Sequence, residues 1–152
     1  MDNATLKERI LELVPNAEYQ ENKQFPTFII PPDKMHDLAL KLKQEADLAF
    51  DFLFCLTAVD RIEFFEVVYH LESTQLKHQL ELKVRTANRE NVAVDTVCDV
   101  WRTAEFHERE AYDLMGITFN NHPDLRRIFL DENWKGHPLR KDYVDEVNII
   151  ER

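Results

Sequence analysis

From Phe65 to Arg85 the chain reads as two short runs of alternating side chains. Phe65, Val67, Tyr69 and Leu71 alternate with Glu66, Val68, His70 and Glu72. After Ser73 to Leu76, His78, Leu80, Leu82 and Val84 alternate with Gln79, Glu81, Lys83 and Arg85. Period two marks strands, and the polar break between them marks a hairpin. With a turn at 73–76, Tyr69 faces Leu80, Val67 faces Leu82 and Phe65 faces Val84, while Glu66 faces Lys83 and Glu72 faces Lys77. That register sets apolar against apolar and acid against base.

Other stretches carry a helical period. Leu6, Ile10, Leu13 and Val14 share one face of a helix over 5–14, with Thr5 and Glu8 at capping-box spacing. Asp33 is placed to cap a second helix over about 34–46, whose apolar face is Met35, Leu38, Ala39, Leu42 and Ala46. Thr27 to Ile30 reads as a short strand stopped by Pro31 and Pro32. Residues 50–60, FDFLFCLTAVD, are apolar on both alternating faces after Asp51, the signature of a central strand covered on both sides. Asp95 opens a helical stretch containing Val97, Cys98 and Trp101. A further helix over about 103–115 ends at Gly116, one of only two glycines. Beyond it, residues 117–143 show almost no period. The pattern predicts an α+β fold of two layers, helices on a mixed sheet built around the hairpin. A core over 1–120 is followed by an extended segment over 121–152.

Composition narrows the function classes. A 152-residue chain with 44% hydrophobic content supports one packed core without staples. The net charge of -10 argues against nucleic acid as a partner. Cys55 and Cys98 are far apart and read as reduced thiols of a cytosolic interior. The N-terminus has no apolar leader, and the longest apolar run falls short of the ~20 residues of a membrane helix.

Candidate chemistry concentrates in FHEREAYDLMG, residues 106–116. His107 and Glu108 begin like the zinc-protease HExxH, but the second histidine position is Ala111. Glu105, Arg109 and Asp113 stand at i, i+4 and i+8, which reads as an exposed ion-pair ladder. His107, Ala111, Leu114 and Met115 form a stripe that can pack inward. His122 and His137 each precede a proline and read as rigid loop turns. Two glycines cannot build a phosphate cradle. The tail combines Phe129, Trp134 and Tyr143 with Arg126, Arg127, Lys135, Arg140 and Lys141. Aromatic and arginine side chains on an irregular strip have the composition of an interface, or of a segment wrapping its own domain.

EREAYDLMGITFNNHPDLRRIFL (108–130), continued by WKGHPLRKDY (134–143), resembles the signature of the C subunit of bacterial respiratory complex I, the NADH:quinone oxidoreductase. LTAVDR (56–61), FEVVYHL (65–71) and DVW (99–101) resemble that family too. Phe106 stands where many members carry tryptophan. The resemblance implies a subunit of the hydrophilic peripheral arm, peripheral to the inner membrane on its cytoplasmic side and touching it only through the complex. It implies no cofactor on this chain, with FMN and iron–sulfur clusters on other subunits. It implies partners in the D and B subunits, with the tail running over the D subunit, and further arm subunits. It also implies scaffolding roles for Glu108, Arg109, Glu110, Asp113, His122, Arg126, Arg127, Phe129, Trp134, His137, Arg140, Lys141 and Tyr143. Three rivals stand beside it. They are the equivalent subunit of a membrane-bound nickel–iron hydrogenase or related complex with another electron donor, a metal hydrolase using His107, Glu108 and His122 or His137, and a plain interaction domain. The tail is expected to be mobile without its partner.

Overall fold

A computed structural model describes residues 1–86, 89–90 and 92–144. The final stretch of the predicted extension, 145–152, lies outside the described residues, as do positions 87, 88 and 91 of the polar loop. The chain is α+β, as its periodicities predict. Helix α1 (Asn3–Leu13) starts at Asp2, whose side chain accepts the Thr5 N–H at 2.8 Å; Thr5 and Glu8 do not cap it. Short strand β1 (Glu18–Gln20), too brief to show a period, pairs with β2 (Thr27–Ile29). A 3-10 turn at Pro32–Lys34 leads into α2 (Met35–Gln44), so Asp33 lies in that turn and Ala46 falls beyond the helix. Strands β3 (Phe52–Asp60), β4 (Phe65–Ser73) and β5 (His78–Arg85) complete one sheet in the order β1-β2-β5-β4-β3. All pairs are antiparallel except β2 with β5.

Two expectations fail here. Strand β3 is an edge strand, not a central one. Phe52 and Phe54 are 41% and 39% exposed, and Phe54 leans on His70 with ring centroids 5.6 Å apart. A β-bulge between Leu53 and Cys55 lets this strand put apolar residues on both faces without both being covered. The hairpin register is displaced by two residues: Tyr69 pairs with Leu82, Leu71 with Leu80 and Glu66 with Arg85. The turn therefore runs over Thr74–Lys77. It closes through the Lys77 N–H to the Ser73 carbonyl at 2.9 Å, with Lys77 at φ +59. A slip of two preserves both faces, so the core side chains are those the alternation predicts.

One core forms against that face. Tyr69, Leu71, Leu82, Val84 and Phe28 are buried together with Leu6 and Ile10 of α1 and with Met35, Leu38 and Leu42 of α2. Strand β6 (Ala93–Asp95) ends where the sequence predicts a helical stretch to open, and beyond it the chain makes a turn in which the Val100 and Trp101 N–H groups donate to the Val97 carbonyl. Strand β6 pairs in parallel with β7 (Thr118–Asn120), and α3 (Ala104–Met115) connects the two. The Trp101 indole donates to the Phe50 carbonyl at 2.8 Å, tying the start of this unit to the sheet.

Because lysine is strained at φ +59, Lys77→Gly is expected to stabilise the chain by about 0.5–1 kcal/mol. A urea titration showing destabilisation would contradict this account of the turn.

Candidate functional site

Arg109 and Asp113 of the predicted surface ladder on α3 lie in a buried layer instead, and Glu105 is half-buried. Glu108 and Asp113 are 0% exposed and Arg109 is 7% exposed. Arg109 bonds to neither of its predicted partners. Its Nε and Nη2 donate to the backbone carbonyls of Arg126 and Arg127, at 3.2 and 3.0 Å. Isolated i, i+4 spacing cannot distinguish a solvated face from one that faces an irregular segment.

Asp113 is the centre of that layer. One carboxylate oxygen accepts Arg127 Nη1 at 2.8 Å. The other accepts three consecutive backbone N–H groups, of Ile128, Phe129 and Leu130, at 3.2, 2.7 and 3.1 Å. Burial would push this carboxyl up, but the Arg127 guanidinium and the three amides hold it below the ordinary carboxylate range. Arg127 also donates to the carbonyls of Asp113, Trp134 and Gly136, so the tail loops around it. His137 Nδ1 donates to the Asp113 carbonyl at 3.0 Å. Its ring lies so close to Gly116, at φ +77, that a Cβ there would meet the ring at 2.7 Å. Gly116 therefore serves both the helix end and the tail's approach.

A second carboxylate pins the far end of the tail. Asp60 is buried and is bridged by both terminal nitrogens of Arg89. It also accepts the Lys141 N–H at 2.8 Å and the Ile62 N–H at 2.8 Å. The Arg89 side chain depresses its titration strongly. Arg89 and Arg140 both stack against Phe65, 4.6 and 4.8 Å from the ring centroid, and Asp142 accepts from both. Cation–π contact and shared carboxylates make this a small closed network.

Glu108 differs. Its oxygens accept the Thr96 hydroxyl and the Val97 N–H at 3.2 Å, and no cation is bonded to it among the described residues. Burial pushes its titration up to about 7. Cys98, Glu108 and His122 place one donor atom each within 4.8 Å of one another. Both ring nitrogens of His122 are already engaged by backbone. The Asp124 N–H donates to His122 Nδ1 at 3.0 Å, so the proton sits on Nε2, which donates to the Glu105 carbonyl at 3.0 Å. A metal on Nε2 would need the proton on Nδ1, against the Asp124 N–H. His107 and Glu110 are separate from this set. They line a shallow cleft with Leu56, Ala58, Met115 and Leu139.

The remaining predicted positions divide by exposure. Phe129 and Trp134 carry exposed rings and Arg126 pairs with neighbouring Asp124, whereas Arg127, His122, His137 and Arg140 bond inward. Tyr143 is half-buried beside Gly136, and the Lys141 side chain is exposed. Sequence reasoning missed Asp60, Arg89 and Thr96. The signal for Asp60 was a charged residue in phase with Leu56 and Ala58 on the core face of β3.

Two substitutions test this layer. Asp113→Asn is expected to cost about 3–5 kcal/mol, because Arg127 loses its buried partner, and urea unfolding measures it; a loss under about 1 kcal/mol would contradict the assignment. Asp113 titrates below its unfolded value of 3.8, so its contribution is present above that pH and disappears as pH falls through the folded value. Glu108 has the opposite sign. Raised from 4.5 to about 7, it favours the fold below pH 4.5, and that advantage is lost as pH rises through about 7. Glu108→Gln is expected to flatten the pH dependence of stability across that window.

A family model described as "Respiratory-chain NADH dehydrogenase, 30 Kd subunit" matches residues 28–147. The chain is 48% identical over 122 residues to the C/D subunit of the NADH-quinone oxidoreductase of Phocaeicola vulgatus, covering 80% of this chain and 23% of that protein. It is 46% identical to the C subunit of the Geotalea uraniireducens enzyme, covering 83% of this chain and 77% of that one. It is 42% identical to the C subunit from Chlorobium phaeobacteroides, covering 84% and 78%. A chain in the structure of the membrane-bound sulfane sulfur reductase, an archaeal respiratory membrane complex, superposes with a TM-score of 0.79 at 27% identity, covering 95% of this chain and 86% of that one. With the family model spanning most of the chain and C-type relatives matched over most of their length, the protein belongs to the 30 Kd subunit family of respiratory-chain NADH dehydrogenase, the family that holds the C subunits of NADH-quinone oxidoreductase.

Proposed function

We propose that this chain is a non-redox scaffolding subunit of the peripheral arm of a proton-translocating NADH:quinone oxidoreductase. It supports electron transfer from NADH to quinone by holding neighbouring subunits in place on the cytoplasmic face of the inner membrane. The carrying observation is the Asp113 site. The most densely bonded carboxylate of the signature helix is spent on Arg127 and three amides of its own tail. A group so saturated has no capacity left to hold a catalyst. In this reading FMN and iron–sulfur clusters are held by other subunits of the complex. No helix among the described residues is long and apolar enough to cross a membrane, which fits membrane contact through partners. The D-type subunit is the leading partner, because some relatives are C/D proteins of which this chain matches 23%. A B-type subunit and further arm subunits complete the set.

A second reading has its own support. The likeness to a chain of the archaeal sulfane sulfur reductase complex favours a related membrane complex with another electron donor, the class that includes membrane-bound hydrogenases. Purifying the native complex through this chain separates the two: NADH oxidation supports the first, its absence the second. Metal and flavin analysis of the purified single chain tests its cofactor-free role, and stoichiometric metal or flavin would end it. Arg126→Ala is expected to lower the yield of assembled complex several-fold while leaving turnover per assembled complex unchanged. Normal assembly with lost turnover would refute scaffolding at that residue.

A further inference from the structure

We infer that Ile62, at the tip of the β3–β4 connection, is a docking knob that inserts into the D-type subunit. The inference rests on the proposed function and names a contact that lies outside the tail. Ile62 has φ +74, a conformation that β-branched residues almost never adopt, and its side chain is 65% exposed. The fold therefore bears both backbone strain and an exposed apolar side chain at one residue, and Ile62 is not part of the core formed by the described residues. Glycine or asparagine would occupy this turn without strain.

The strained conformation is held firmly. The Ile62 N–H donates to Asp60 Oδ1 at 2.8 Å, and Arg89 Nη1 donates to the Ile62 carbonyl at 2.8 Å. The Arg61 N–H closes the turn onto the Phe64 carbonyl at 2.9 Å. The second oxygen of Asp60 accepts the Lys141 N–H, so one carboxylate sets the knob and the end of the tail side by side. Leu139 and Val144, on either side of that tail position, are exposed as well. Ile62 thus sits on the same carboxylate as the end of the tail. The occupant assigned to it is the D-type subunit, which C/D relatives carry in one polypeptide with this fold. A second copy of this chain is disfavoured, since each copy carries a net charge of -10.

The test compares Ile62→Gly, Ile62→Val and Lys77→Gly in the full chain. Thermal unfolding gives Tm, and titration against the cognate D-type subunit gives affinity. Ile62→Gly is expected to raise Tm by a few degrees while weakening binding about tenfold. Ile62→Val should keep wild-type affinity. Lys77→Gly, which relieves strain at the opposite end of β4, should raise Tm with no change in affinity. Wild-type affinity in Ile62→Gly overturns the inference and leaves the proposed function standing. A lowered Tm in Ile62→Gly overturns it too, because the strain would not exist. Self-association of the wild type that Ile62→Gly abolishes overturns it in favour of contact between copies. Failure of the wild-type chain to bind the D-type subunit removes the proposed partner, and the inference with it.

Discussion

One buried carboxylate organises the junction between α3 and the irregular tail. Asp113 sits in α3, a rigid helix packed on the sheet, and its side chain gathers an arginine and three successive amides. An irregular segment over 121–144 would otherwise leave many backbone groups without partners. Here the carboxylate replaces the missing ladder: it satisfies the amides, while Arg109 of the same helix and the tail's own Arg127 satisfy the carbonyls. A buried anion is costly alone, and a buried guanidinium likewise; paired with each other and bonded to backbone, they become structural. The tail thus has a bonded path on its own domain.

Much of the fold was legible in the sequence because periodicity reports burial. The alternation over Phe65–Arg85 gave the right faces even though the pairing is displaced by two residues, since only an odd slip exchanges them. The displacement itself depended on which residue of the turn enters the left-handed region, and Lys77 gives no sign of that. Strand β3 was misplaced for a different reason. A continuous apolar run reads as a strand covered on both faces, and composition alone does not separate that case from a bulged edge strand. Strands β1, β6 and β7 were too short to display any period.

The site was legible in identity but not in geometry. Glu108, Arg109 and Asp113 stood out as charges on a helix, and the tail stood out as aromatic and basic. What joins them is long-range: Asp113 reaches Phe129, and Asp60 reaches Lys141. Local spacing therefore assigned Arg109 to Glu105 and Asp113, whereas the tertiary fold gave it two carbonyls. Reading Asp60 as a core-phase charge on β3 would have predicted a buried cationic partner, though not which one.

The open rim of the sheet has a cellular corollary. Strand β3 carries neither lysine nor proline along FLFCLTAVD, and it leaves Phe52 and Phe54 facing water. Natural edge strands are usually protected by such residues against pairing with a neighbour. The bulge between Leu53 and Cys55 is this strand's own guard, breaking the ladder that a neighbouring strand would extend, so a copy made ahead of its partners relies on that irregularity to stay unpaired.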